Sequence, residues 1–326
     1  MSIEKDWEAR GLRVRLLMPL SWLFCLLVWI RRSLYRFGLL RSYRAPVPVV
    51  VVGNITVGGT GKTPLVVWLV GHLSNLGYRP GIVARGYRGS SSQWPLSVDA
   101  SSDPRVAGDE PVLLARRTLC PVCVGPDRPA AVRQLLERDD CDIIVTDDGL
   151  QHYALRRDLE IAVVDGERRF GNELCLPAGP LREPLSRLRS VDMVVANGEA
   201  VSGEFPMRLS AVTAVNLQDS ALSRSLEDFI GGPVHAVAGI GNPARFFATL
   251  RQLGLDVREH PFPDHHDFNY REIQFNDEYP VLMTEKDAVK CTRFAKLCHW
   301  YLKVDADFEA DFSGRLTQLL QEVVNG

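Results

Sequence analysis

At 326 residues, with 46% hydrophobic and 24% charged side chains, the chain can bury a substantial core and lacks the biases of collagen-like, disordered or repeat proteins. Its net charge of −2 conceals an asymmetry, because residues 1–46 hold nine Lys/Arg against three acids, a formal +6, and the remainder carries −8. That split argues against a nucleic-acid-binding body and for a basic leader that meets an anionic partner, a membrane surface.

Within the leader, residues 16–30 (LLMPLSWLFCLLVWI) form a charge-free run between Arg13, Arg15 and Arg31, Arg32. The run is short for a membrane span, and Pro19 should disturb its first turn. Basic residues at both ends, with no small-residue cleavage site between, fit a signal peptide poorly. Trp7, Trp22 and Trp29 with the arginines predict a helix held in the membrane interface or spanning it only partly; a buried core helix is the alternative.

The β-branched residues 49–52 then feed residues 53–64 (GNITVGGTGKTP). This is the pattern of a buried parallel strand entering a phosphate-binding loop. Gly58, Gly59 and Gly61 let backbone N–H groups converge on an anion, Lys62 can reach the β- and γ-phosphates, and Thr63 can ligate Mg²⁺. The stretch Thr56, Val57, Gly58, Gly59, Thr60, Gly61, Lys62 and Thr63 is the predicted nucleotide contact, although the strict pattern has glycine where Thr56 stands. Leu65, Val66, Leu69, Val70 and Leu73 predict a helix whose positive end faces the phosphates.

Residues 80–89 read as a strand entering a turn in which Arg85 and Arg88 either meet a phosphate or are simply solvated. Residues 90–104 are polar and read as a surface loop. Asp109 and Glu110 stand where a helix begins, so Asp109 is either an N-cap or a general base or metal contact. Residues 119–124 read as a buried strand, which makes Cys120 and Cys123 structural; the seven scattered cysteines form no secreted disulfide framework and suit a reducing cytosol. Residues 141–147 are an apolar strand ending in Asp147 and Asp148, the acids expected to hold Mg²⁺ with Thr63.

Further strands at 159–165 and 191–197 predict a P-loop NTPase-like, mostly parallel α/β sheet with helices on both faces. Strands at 207–217, 233–238, 281–284 and 300–304, a helix over 246–253 and a terminal helix predict a second, smaller α/β domain. The expected organisation is a membrane-associating leader (1–46), a P-loop domain (47–207) and a smaller domain (208–326). A site between the two domains would be assembled by closure on substrate.

Residues 53–64, 86–89 (GYRG), 108–111 (GDEP), 147–152 (DDGLQH), 177–184 (PAGPLREP), 262–268 (FPDHHDF) and 284–290 (TEKDAVK) together resemble the tetraacyldisaccharide 4'-kinase family. The resemblance implies transfer of the γ-phosphoryl group of ATP to the 4'-hydroxyl of the lipid A precursor, a disaccharide 1-phosphate, on the cytoplasmic face of the inner membrane. Thr56 belongs to that family's loop. The resemblance further implies that Asp109 is the general base, assisted by His265 rather than His266. Lys62 would serve the phosphates, Thr63, Asp147 and Asp148 the Mg²⁺, and Glu183, Arg128 and Glu110 would support the site, with Glu183 also a candidate metal contact. A membrane-associated P-loop ATPase acting as a switch is the competing reading.

Overall fold

The computed structural model describes Trp7 and residues 11–325; the remaining charged start of the leader, including Lys5 and Arg10, lies outside the described residues. In chain order the helices are α1 (Leu12–Arg36), α2 (Lys62–Asn75), α3 (Pro104–Ala107), α4 (Asp109–Thr118), α5 (Arg128–Arg138), α6 (Pro243–Gln252), α7 (Glu285–Cys291) and α8 (Ala310–Asn325). The strands are β1 (Val49–Gly53), β2 (Pro80–Ala84), β3 (Leu96–Val98), β4 (Val122–Val124), β5 (Ile143–Asp147), β6 (Leu159–Asp165), β7 (Met193–Asn197), β8 (Phe205–Asn216), β9 (Ser223–Ser225), β10 (Pro233–Ala238), β11 (Asp256–Pro261), β12 (Val281–Thr284) and β13 (His299–Phe308).

All the strands belong to one sheet, ordered β11-β10-β12-β13-β8-β7-β6-β1-β5-β2-β4-β3, with β9 paired to β8. Pairing is parallel except for β3 with β4, β8 with β9 and β8 with β13. β1 lies between β5 and β6, both parallel to it. The chain leaves β1 in one direction and later returns on its other side, which opens a crevice at the carboxyl ends of these strands. β8 contains residue 208 and joins the two parts of the sheet: its start pairs with β7 and its remainder with β13.

The alternation of side chains along β1 divides the core. Val50 and Val52 face α2, α4 and α8, whereas Val49 and Val51 face α5 and the segment around Leu150 and Leu181. α8 returns across the fold to pack on α2, where Phe312 is buried 5.2 Å from Trp68 and 4.1 Å from Phe308, ring centre to ring centre.

Three local expectations change. α1 runs unbroken through Pro19 for 25 residues and is, among the described residues, the one helix long and apolar enough to cross a membrane. It is held to the body by Ser21 Oγ donating to the Cys175 carbonyl at 2.7 Å and by Val14 packing on Ala178. Residues 90–104 contain β3, recruited by antiparallel pairing to β4 despite their polarity. The predicted strand over 119–124 shortens to β4, because Leu119 takes a left-handed conformation (φ 55°) in an exposed turn.

Truncating Phe312 to Ala should destabilise the fold by about 3–5 kcal/mol, the usual cost of emptying a packed aromatic site. Chemical denaturation of the detergent-solubilised protein measures it.

Candidate active site

The phosphate loop is built by two constraints. Gly61, at φ 89°, ends the turn and immediately precedes α2, and a Cβ there would lie 2.7 Å from Asn197 Nδ2. The other constraint explains Thr56: it forms an antiparallel bridge to Leu181, flanked by Val57 N–H donating to the Pro180 carbonyl at 2.8 Å and Arg182 N–H to the Ile55 carbonyl at 2.7 Å. Thr56 is therefore in a short strand-like pairing and not at a glycine turn. Thr60 is buried with its hydroxyl unpartnered, and Thr63 lies in the first turn of α2. Pro64 falls in the same turn, where a missing N–H costs little.

β5 delivers the acidic pair to this loop, but the two carboxylates meet different surroundings. Asp147 is buried, its Oδ1 has no partner, and its backbone carbonyl accepts from Arg128 at 3.2 Å. Burial, reinforced by Glu110 and Asp148 and opposed by Lys62 and Arg128, pushes its carboxyl well above the ordinary range. Asp148 has φ 53° and is half-buried. Burial would raise its pKa too, but Lys62 Nζ at 3.4 Å and Arg182 at 2.9 Å hold it below the usual value. The pair thus presents one ionised acid bound to the loop lysine and one buried acid with a free oxygen.

Among the described residues no group of three His, Cys, Asp or Glu is placed to hold a metal ion. The chemistry of the loop nevertheless suits a hard cation held jointly with phosphate oxygens, as the unpartnered Asp147 Oδ1 and the nearby hydroxyl-bearing loop provide oxygen donors. Glu183 is fully buried, and its oxygens accept from Gln151 Nε2 at 2.9 Å and from the Tyr153 hydroxyl, with Arg187 3.7 Å away.

The two parts of the sheet each supply one of the remaining groups, Asp109 from α4 and His265 from the turn after β11. Gly108, at φ 96°, turns the chain into α4, and a Cβ there would lie 2.9 Å from the Tyr87 carbonyl. Gly108 is therefore the residue before the helix, and Asp109 is its first residue rather than its cap. Asp109 is buried; its Oδ2 lies 2.9 Å from His265 Nδ1, and its Oδ1 accepts the Glu110 N–H at 3.1 Å. His265, at φ 61°, is presented by the turn that follows β11. Its neighbour His266 points elsewhere, bonding Glu272 at 3.0 Å and packing between Phe262 and Phe268. The two histidines of one dipeptide thus meet different partners, Asp109 and Glu272.

Asp109 and His265 open onto a cleft of about 720 Å³ lined also by Arg88, Arg116, Lys290 and Arg293. The Asp109–His265 contact joins a residue of α4 to the turn that follows β11. Left-handed backbone at Arg88 and His265, a conformation uncommon outside glycine, marks two turns that line this cleft, and Asp148 adopts it after β5. Sequence reading missed Arg182, which braces Asp148, and Lys286, which lies 3.0 Å from Glu110 and 3.3 Å from His265. Both fall inside motif segments, and only the folded register shows what they touch. Arg88 donates to the Asp264 carbonyl at 3.2 Å, which ties its turn to the loop bearing His265.

A buried parallel strand, a glycine turn closing on Gly-Lys-Thr and an adjacent acidic strand end define the class of P-loop kinases. The family model described as tetraacyldisaccharide-1-P 4'-kinase matches residues 13–321, and the chain belongs to that family. It is 55% identical over 307 residues to the tetraacyldisaccharide 4'-kinase of Nitrosococcus oceani, covering 94% of this chain and 90% of the relative. It is 52% identical over 330 residues to that of Aromatoleum aromaticum, covering 98% and 96%. The crystal structure of LpxK from Aquifex aeolicus in complex with ATP shares the fold with a TM-score of 0.83 at 30% identity, covering 96% of this chain and 99% of that one.

Replacing Gly61 with Ala should weaken ATP binding at least about tenfold, because left-handed backbone costs a side chain roughly 1–2 kcal/mol before the Asn197 clash is added. Equilibrium binding of a fluorescent ATP analogue measures the loss.

Proposed function

We propose that this protein transfers the γ-phosphoryl group of ATP to the 4'-hydroxyl of a tetraacyldisaccharide 1-phosphate, the lipid A precursor, giving ADP and lipid IVA. The observation that carries this reading is the part-buried hydrogen bond between Asp109 and His265, in a chain that also carries a phosphate loop opening α2. Glu110, next in sequence to Asp109, acts electrostatically on Asp147, so the base and the acidic strand end share one site. Residues 47–207 and 208–326 form the two sides of that site.

Backbone N–H groups from Thr56 to Thr63 cradle the phosphates, and Lys62 exchanges its contact with Asp148 for the β- and γ-phosphates. Thr63, Asp147 and Asp148 would hold Mg²⁺, whose chemistry is to neutralise charge on the phosphate oxygens. The free Oδ1 makes Asp147 the better direct contact, whereas Asp148 is shared with Lys62 and Arg182. Glu183 has both oxygens engaged, and its role is to fix Gln151 and Tyr153 behind the acidic turn instead of binding the cation. Asp109 accepts the hydroxyl proton as the acceptor oxygen bonds to phosphorus and the bond to ADP breaks, with the bonding electrons leaving on ADP.

α1 serves the lipid end of this chemistry at the cytoplasmic face of the inner membrane. Leu16, Trp22 and Trp29 are 69%, 63% and 64% exposed, so a broad apolar face is offered outward while Ser21 and Val14 hold the opposite face to the body. The segment that receives α1 also pairs with the phosphate loop: Cys175 and Ala178 contact the helix, and Pro180 and Leu181 contact Val57 and Thr56. The lipid-facing helix and the triphosphate site are thus fixed to one short stretch of chain.

Incubation with labelled ATP, Mg²⁺ and detergent-dispersed tetraacyldisaccharide 1-phosphate should label the lipid; phosphate release with no lipid product contradicts the proposal. Asp109→Ala should lower kcat by about 10²–10⁴-fold with little change in the KM for ATP. Burial alone would raise the Asp109 pKa, but the His265 hydrogen bond and the charges of Lys286 and Lys290 bring it below the ordinary carboxylate value. The base form therefore persists at neutral pH, and on this limb kcat should fall only as the pH drops below the usual carboxylate range. Trp22→Glu with Trp29→Glu should cut vesicle binding at least about tenfold, since each buried side chain of this size is worth roughly 1.5–3 kcal/mol. Transfer to detergent-dispersed substrate should survive that change.

A further inference from the structure

We propose that Lys286 is a positioning residue that, together with Asp109, fixes the tautomer of His265, keeps its Nε2 from taking a proton, and so decides which member of the Asp109–His265 pair takes the substrate proton. The inference rests on the kinase reading above. Lys286 is the second residue of α7, and its Nζ lies 3.0 Å from Glu110 Oε1, 3.3 Å from His265 Nε2 and 3.9 Å from Asp264 Oδ1. An ammonium group has three donors and no acceptor. Toward His265 it can only donate, so Nε2 must carry the lone pair and the ring proton must sit on Nδ1. Nδ1–H then donates to Asp109 Oδ2 across 2.9 Å.

The remaining contacts agree with this direction. Burial would lower the Lys286 pKa, but Glu110, Asp109 and Asp264 more than offset it, so the amine stays charged. Asp109 receives a donor on each oxygen, His265 Nδ1–H on Oδ2 and Glu110 N–H on Oδ1, which leaves each oxygen a further lone pair. With Nδ1 already protonated, His265 cannot receive a proton through that nitrogen, and protonating Nε2 would set an imidazolium against the lysine. The hydroxyl proton therefore goes to Asp109, while His265 orients it. After transfer, Asp109 carries the proton and releases it to water when the products leave. The charged groups around Asp109 are Glu110 on its own helix, Asp264 and His265 on the turn after β11, and Lys286 and Lys290 on α7.

The test compares full-length wild type with Lys286→Met, Lys286→Gln and Lys286→Arg. Nitrogen-15 NMR of histidine-labelled protein reads the tautomer directly, with His265→Asn used to assign the signal. Wild type should show His265 protonated at Nδ1 only, and the Met and Gln variants, which keep the Nδ1–H bond to Asp109 but remove the ammonium from Nε2, should show Nε2 protonated as well in a fraction of the molecules. With ATP, Mg²⁺ and detergent-dispersed disaccharide 1-phosphate, both neutral variants should lose about tenfold or more in kcat, keep the KM for ATP within about twofold, and move the acid limb of the rate to higher pH. Arg, which keeps the charge and donors, should restore most of the rate and serves as the folding control. A wild-type His265 protonated at Nε2, or a Gln variant with wild-type tautomer and pH profile, overturns the proposal. If wild type transfers no phosphate to lipid, the kinase reading fails, while the tautomer measurement still decides the role of Lys286.

Discussion

The hydrogen bond between Asp109 and His265 is the constraint on which the arrangement of the site depends, because its partners are 156 residues apart in the chain and belong to opposite parts of the sheet. Several contacts hold it in register. Lys286 meets Glu110 and His265 at one end of α4, and Arg117 at the other end meets Glu285 at 2.7 Å and also Asp305. Arg117 and Glu285 are each only 11% exposed, so removing either leaves a costly charge, and the helix cannot easily shift alone. α8, packed through Phe312 against Trp68, ties the end of the chain to α2 and hence to the phosphate loop.

Electrostatics divides the labour among the four acids of the site. Burial keeps Asp147 protonated more readily than its neighbour, while Lys62 and Arg182 keep Asp148 ionised. Asp109 stays ionised in spite of burial because its neighbours are donors and cations. Carboxylates with pKa values driven apart by their surroundings can take different roles in one reaction at one pH. Glu110 belongs to both sets, anchoring Lys286 and acting on Asp147.

Much of the fold was legible in the sequence because the strands nearest the site are parallel and buried on both faces, and therefore read as largely apolar runs. Val49–Gly53, Ile143–Asp147 and Leu159–Asp165 are of this kind. β3 and β11 were not legible: Leu96–Val98 is only partly buried and Asp256–Pro261 is a charged edge strand, so pairing and not hydrophobicity creates them. The phosphate loop and the acidic strand end stood out by residue type. Lys286, Arg182 and the opposed directions of His265 and His266 did not, since long-range register decides what each side chain meets. The length of α1 was masked by Pro19, through which the helix runs unbroken.

The central claim is that Asp109 and His265 act as one base. Steady-state kcat for Asp109→Asn, His265→Ala and the double variant tests it most directly. The account predicts strong coupling, with the double variant losing little more than Asp109→Asn alone, because His265 acts only through Asp109. Losses that multiply in the double variant would mean that the two residues work independently, and would contradict it.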